Sequence, residues 1–461
     1  MAHPSFTVAQ ARRGFQPANR SALLLTLLGL AAAVGIGVMV LSWRLRVVAS
    51  VWAILFGAGL ALVRPDLGLV LLIMADAAEL SRVASSQSAF TAVRVFGGAL
   101  LLAWLAQGQV GRSLRRLASP QLLALVGYFT VAGAGVVYAD RPDLSLPILR
   151  EYLMIFVLFA LVVLFTRREQ EVRQVSWTLV LAALASVAIA IRQYEPHMER
   201  LASSQSNPNY FALHLVTVLP LALYLGIGER RAIWRLAALP AALLLVWAIM
   251  KTFSRGAFLG LAVVGVVMVI HLLRYPRRAS RNLLAPAFAV MLLSLLLLPA
   301  GYVDRIKTIT QPGADESVRS RRETNVAMFQ IFLDHPLLGV GIGNSVPLSV
   351  VYNPSIYFPR VSHNIVLEVA AETGLVGLLF FAFALGYAAL DFRRAAHHFA
   401  GRENWLMYAV ACGFLLGLVG FLVTALFKTA TVVRVLWLCV AMSVVMRNLV
   451  AAGEEPAAGG A

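Results

Sequence analysis

Residues 406–425 read LMYAVACGFLLGLVGFLVTA, an unbroken run with no charged side chain. Its length decides the fold class, because a helix needs about 20 apolar residues to cross the hydrocarbon of a bilayer. Backbone groups in lipid must satisfy one another, so such a run is helical. Comparable runs recur from Ser21 to the C-terminal region. Of the 461 residues, 60% are hydrophobic and 13% charged, a balance too apolar for a soluble domain. The chain reads as an all-α, polytopic integral membrane protein.

Apolar runs place spans at 21–42, 47–63, 67–80, 92–108, 120–138, 147–165, 174–192, 209–226, 232–250, 254–273, 282–302, 364–390, 406–425 and 430–447. Those near the N-terminus are short or interrupted by Arg44, Arg64, Pro65 and Asp66, which gives about 12–14 transmembrane helices. The first run is long and lacks a small-residue cleavage site, so it is expected to be a retained span. Cys412 and Cys439 both lie inside apolar runs, which argues against a disulfide and against a metal site. The division expected is 1–302 for the N-terminal helices, 303–363 for a large loop, 364–450 for three C-terminal helices and 451–461 for a disordered tail.

The formal net charge is +17. Insertion mechanics alone gather Lys and Arg in cytoplasmic loops, so the surplus requires no nucleic-acid partner. Arg112, Arg115 and Arg116, then Arg167, Arg168 and Arg173, then Arg230 and Arg231, then Arg393, Arg394 and Arg402 fall on one side of the alternating spans, with both termini. That side is the expected cytoplasm, and Arg44 and Arg46 are the discordant pair. Segments 139–146, 193–208, 251–254 and 303–363 then face outwards.

In the long loop, 316–334 has a helical pattern with Val326, Phe329 and Leu333 on one stripe, ended by His335-Pro336. Gly339, Gly341 and Gly343 read as a flexible turn segment and not as a nucleotide loop, since no strand precedes them. The loop carries Arg305, Lys307, Arg319, Arg321, Arg322 and Arg360. Guanidinium groups bind phosphate oxygens in pairs and can neutralise a leaving pyrophosphate, so Arg319, Arg321 and Arg322 are a candidate phosphate clamp; a solvated helix face is the bland alternative. Arg192 and Arg255, at span ends, are further candidates, although such arginines also snorkel to water. Gly256, beside Ser254 and Arg255, allows close approach at a helix start.

His363 lies between Ser362 and Asn364 where the loop enters a span, with Glu368 about one helical turn on. A neutral imidazole there can take a proton from a sugar hydroxyl, or it can cap the helix or contact headgroups. Asp76, Glu79 and Glu151 suggest either an ion pathway or pairing with Arg82 or Arg150. No Walker-type loop, HExxH pair or serine-nucleophile elbow is present, and no metal or cofactor is expected.

Ser254-Arg255-Gly256, the arginine-led helix running into His335-Pro336-Leu337-Leu338-Gly339-Val340-Gly341, Ser362-His363-Asn364 followed by Glu372-Thr373-Gly374-Leu375, and Asn207-Pro208-Asn209-Tyr210 together resemble the bacterial O-antigen ligases and polymerases over about residues 190–390. The chain departs from that pattern in carrying Asn325 and Met328 where many members have a tryptophan. The resemblance implies a GT-C-like membrane glycosyltransferase of the bacterial inner membrane, with its active site in the periplasm. It implies transfer of a glycan from undecaprenyl pyrophosphate to a lipid A core hydroxyl, metal-independent and inverting, among membrane lipids. His363 is the implied base. Arg192, Arg255 and the Arg319, Arg321, Arg322 cluster are the implied pyrophosphate ligands, with Ser254, Asn364, Glu368 and Asn209 as possible support. An O-antigen polymerase, a protein O-oligosaccharyltransferase and a lipid-linked glycan flippase are the alternatives.

Overall fold

The computed structural model describes residues 43–77, 92–108, 110–195, 199–203, 207–274 and 316–454. The expected spans 21–42 and 282–302 lie outside the described residues, as do Arg305, Lys307, Glu79 and Arg82. Two compact units divide at Gly59 and Leu60. Helix α1 (Trp43–Val63) runs across that division, and all that follows concerns the second unit.

The second unit continues with α2 (Pro65–Ala77), α3 (Ala92–Ala106), α4 (Val110–Leu117), α5 (Pro120–Tyr138), α6 (Pro142–Phe165), α7 (Glu169–Gln193), α8 (Pro208–Gly228), α9 (Ala232–Lys251) and α10 (Arg255–Arg274). After the undescribed stretch come α11 (Glu316–Asp334), α12 (Ser345–Tyr352), α13 (Ile365–Gly401), α14 (Trp405–Ala425) and α15 (Arg434–Glu454). Among the described residues there is no strand. Among the described residues eight helices, α5 to α9 and α13 to α15, are long and apolar enough to cross a membrane, and stretches of α1, α3 and α10 are apolar but shorter. The last helix continues to Glu454, past the expected start of the tail at 451.

Helix starts follow ordinary capping chemistry. Ser119 accepts from the N–H of Leu122 at 3.1 Å ahead of Pro120, and Asn207 accepts from the N–H of Asn209 at 3.0 Å around Pro208. Proline at the first helical position lacks only an N–H that would be unpaired there anyway. Small residues then let spans approach: a Cβ on Gly417 of α14 would lie 2.4 Å from the Thr217 carbonyl oxygen of α8, the small-residue contact on which packing in lipid depends.

Hydrogen bonds define two opposite ends. At the first, Arg141 N–H donates to Asn344 Oδ1 (2.8 Å), Leu201 N–H to the Lys251 carbonyl (2.8 Å), and Thr429 to the Ser362 carbonyl. At the second, Asn404 donates to Glu169 (2.8 Å), Arg173 to Glu229 (2.6 Å) and Asn448 to the Arg116 carbonyl (3.0 Å). Residues 139–141, 199–203, 252–254 and 335–364 thus share one end, and the connections holding Arg116, Arg167, Arg168, Arg230 and Arg231 share the other.

The expected stripe on α11 is corrected. Val326, Phe329 and Leu333 are exposed, and the side buried is that of Thr324, Ala327, Met328 and Ile331. Met328 packs with Ile331, Val340 and Ala371. Both sets have helical spacing, so periodicity alone does not choose between them.

The glycine run after α11 is not a flexible turn. It is buried against a break in α13, where Gly374 adopts φ 62° and ψ −165°. Val340 N–H donates to the Ala371 carbonyl and Gly341 N–H to that of Glu372, both at 3.0 Å, and Leu375 N–H returns to the Pro336 carbonyl at 2.7 Å. A Cβ on Gly374 would sit 2.3 Å from the Leu337 carbonyl, and one on Gly339 would meet the Glu372 backbone at 2.4 Å. The two motifs therefore hold each other, and they fix α11 above the end of α13.

Among the described residues, Asp76 and Glu151 are paired, and their partner is Arg434. Arg434, at the start of α15, contacts Asp76 of α2 and donates to Glu151 of α6 at 2.7 Å. This cation ties three helices together next to the connection between α14 and α15.

Candidate functional site

Four basic side chains converge at the first end. Arg200, Arg255, Arg321 and Lys428 line a cavity of about 70 Å³ with Asn209, Ser254, Gly256, Thr424 and the rings of Phe253 and Phe427. That exceeds several-fold the about 10–15 Å³ a single water needs. No acid lines it.

Each cation is placed by its own segment. Arg200 donates to the Thr252 carbonyl at 2.8 Å and to Asn209 Oδ1 at 2.9 Å, so the connection before α8 is fastened to the turn before α10. Asn207, Asn209 and Tyr210 thereby acquire distinct tasks: the first caps α8, the second holds Arg200, and the third lies under Lys428, whose ammonium is 4.1 Å from its ring centroid. Ser254 is buried and stands within 3.5 Å of the Ala257 N–H at the start of α10. Gly256 admits Phe427, since a Cβ there would approach the Phe427 Cβ to 3.0 Å. The N-termini of α8 and α10 both end at this cavity, and helix N-termini favour anions.

Among the three loop arginines, only Arg321 lines the cavity. Arg319 is 70% exposed and pairs with Glu323 at 3.3 Å, and Arg322 is exposed. Successive helical residues point about 100° apart, so one packed face admits only one of them. Arg192 is exposed at the end of α7 and does not line the cavity. Sequence reasoning missed Arg200 and Lys428. Asn209, in a motif already singled out, was the available signal for Arg200; a lone lysine between two apolar runs gave none for Lys428.

His363 is held between two anchors. Asn364 caps α13 by accepting from Val366 N–H at 2.9 Å and Leu367 N–H at 3.3 Å, and Ser362 Oγ accepts from Asn364 N–H at 3.1 Å. Thr429 contacts the Ser362 carbonyl from the connection that carries Lys428. The imidazole is half-buried, and its Nδ1 is buried with no hydrogen-bond partner among the described residues. Burial first, then the charges of Arg321, Lys428 and Arg360, lower its pKa to about 4. Lys428 is only 6% exposed; burial, followed by Arg321 and Arg200, lowers its pKa to about 8. Arg360 reaches this neighbourhood by contacting Ser320 of α11 and packing 4.2 Å from the Phe358 ring centroid.

Glu368 does not orient the imidazole. It is buried one turn into α13, where it accepts from Ala430 N–H and Thr431 Oγ1, both at 3.3 Å. Trp437 donates to the Thr431 carbonyl at 2.7 Å. The carboxylate thus fixes the connection that delivers Lys428. Among the described residues no group of three or more His, Cys, Asp or Glu side chains is arranged to hold a metal ion.

Fold and site together define a class: a multi-pass α-helical membrane protein with a cation-lined cavity at one end of its spans. Residues 240–382 match the family model described as O-antigen ligase. The matched stretch includes Arg255, Arg321 and His363; Arg200, Asn209 and Lys428 lie outside it. No curated protein matches the chain. The family-model match supports, in general terms, an activity of the O-antigen ligase or polymerase type.

Proposed function

We propose that this protein is an O-antigen ligase of the bacterial inner membrane, transferring a glycan from undecaprenyl pyrophosphate to a lipid A core hydroxyl at the periplasmic face. The observation that carries this reading is the convergence of four cations, without an acid, beside an imidazole that is neutral at physiological pH. The arginine-rich end is assigned to the cytoplasm by the charge rule, with both termini, and the cation cavity to the periplasm.

In this mechanism Arg255, Arg321, Lys428 and Arg200 hold the donor diphosphate. His363 accepts the proton of the acceptor hydroxyl as its oxygen attacks the anomeric carbon from the face opposite the diphosphate. The new glycosidic bond forms, the bond to the phosphate oxygen breaks, and configuration inverts. Charge building on the departing undecaprenyl diphosphate meets fixed cations, where electrostatic stabilisation is largest. An imidazole with a pKa near 4 is a weak base. A bound dianionic diphosphate among the same cations raises that pKa towards a useful range.

Reconstitution with a defined lipid-linked donor and candidate acceptors tests the reading. Capped lipid A core, formed at an unchanged rate in EDTA, is expected. Extension of a second lipid-linked glycan, with no capped core, would instead identify a polymerase. In cells, loss of the gene is expected to leave lipid-linked polymer outside and the core uncapped; glycan trapped inside would identify a flippase.

A further inference from the structure

The stretch between α12 and His363 presents two aromatic rings to the outside. Tyr357 is 87% exposed and Phe358 57%, with Pro354, Pro359 and Val361 exposed around them. The backbone beneath them is pinned. Ile356 is buried, Asn353 donates to the Glu323 carbonyl of α11 at 3.1 Å, and Arg360 N–H donates to Ser349 Oγ of α12 at 3.3 Å. Apolar side chains held outwards on a fixed segment mark a contact surface. Arg360 lies across the Phe358 ring and contacts the neutral hydroxyl of Ser320. Among the described residues it pairs with no acid, and its Nε has no hydrogen-bond partner. Ser320 precedes Arg321, and successive helical residues point about 100° apart. Arg321 therefore enters the cation cavity while Arg360 stands on a neighbouring face, and none of Tyr357, Phe358 and Arg360 lines that cavity. His363 feels the charges of both arginines, so the base is bordered by the diphosphate cations and by this platform. Attack from the face opposite the diphosphate assigns the acceptor to the border that does not hold the diphosphate.

We propose that Tyr357, Phe358 and Arg360 form the acceptor subsite and that it takes an acidic glycan. The aromatic rings receive the flat face of a sugar, and the guanidinium pairs with a carboxylate or phosphate on the same glycan. This assignment rests on the transfer reading above, to which it adds the chemical class of the acceptor.

The test measures glycan binding to the full-length protein in detergent with no donor present. The probe is core oligosaccharide released from rough lipopolysaccharide, used as isolated and after removal of its phosphates and carboxylates. Wild type is expected to bind the acidic form about tenfold more tightly, the contribution of one charge-assisted pair. Arg360→Gln is expected to abolish that preference while the neutral form binds as it does to wild type, and Arg360→Lys is expected to keep part of it. Tyr357→Ala is expected to weaken both forms about fivefold, and it decides the matter should the Arg360 variants fail to fold. With donor present, Arg360→Gln is expected to raise the acceptor KM about tenfold. Binding of the acidic form with no transfer to it would count against the ligase reading and leave the subsite supported. Equal affinity of wild type for the two forms, a preference that survives in folded Arg360→Gln, or undiminished affinity in folded Tyr357→Ala overturns the proposal. So does quenching of Tyr357→Trp by brominated phospholipid that core oligosaccharide does not relieve, which would seat the rings in lipid.

Discussion

The ammonium of Lys428 lies 4.1 Å from the ring centroid of Tyr210, so the α14–α15 connection is seated on the first turn of α8 by a cation against an aromatic face. This puts Lys428 inside the cavity with Arg255 and Arg321. Lys428→Ala is expected to lower kcat by about 10²–10³-fold, the range for removing one preorganised donor. Arg192→Ala and Arg322→Ala are expected to leave it near wild type. Initial rates in proteoliposomes check this, and equal losses at all three positions would contradict the geometry.

The pH profile follows from the two shifted groups. In the free protein His363 is neutral above about pH 4 and Lys428 charged below about pH 8. The plateau of kcat/KM, which reports free enzyme, is expected between those limits. The acid limb of kcat is expected at higher pH, because bound diphosphate favours the imidazolium. Lys428→Arg is expected to remove the alkaline limb near 8, because a guanidinium stays charged. An acid limb of kcat/KM at the ordinary histidine value would exclude the placement of His363 among these cations.

Gly374 has a backbone conformation open almost only to glycine, and a Cβ there would meet the Leu337 carbonyl at 2.3 Å. Gly374→Ala is expected to cost on the order of 3 kcal/mol from strain and overpacking together. A lowered thermal midpoint, with loss of transfer as α11 separates from α13, is the outcome that checks it.

Arg434 pairs with two carboxylates at once, Asp76 and Glu151. Arg434→Met leaves Asp76 and Glu151 partly buried without a cation and is expected to destabilise by about 3–5 kcal/mol. Replacing all three by apolar residues is expected to recover most of that loss. Thermal unfolding of the single and triple variants in one detergent makes the comparison.

Spans were legible because uncharged runs of membrane length have few other readings, and 406–425 needed nothing beyond its own residues. The helix at 316–334 was legible too, with bounds that match α11. Its buried side was not, because Val326, Phe329 and Leu333 share their spacing with Thr324, Met328 and Ile331, and only the partner surface distinguishes the two stripes. The same ambiguity hid which loop arginine turns inwards. Gly339 to Gly343 looked like a flexible turn because its partner, the break at Gly374, stands about one helix and one loop further along the chain. Lys428 was hidden by isolation: one lysine between apolar runs becomes a site residue only when α8 and α10 begin beside it.

The central claim is that His363 and the cations of Arg255, Arg321 and Lys428 serve one bound diphosphate in different capacities. Parallel measurement of lipid-linked donor binding and single-turnover transfer, for His363→Ala and Arg321→Ala, separates those capacities. His363→Ala is predicted to bind donor about as wild type does while transfer falls by at least about 10²-fold, and Arg321→Ala is predicted to lose donor affinity. Transfer at the wild-type rate by folded His363→Ala, or undiminished donor affinity in Arg321→Ala, would contradict it.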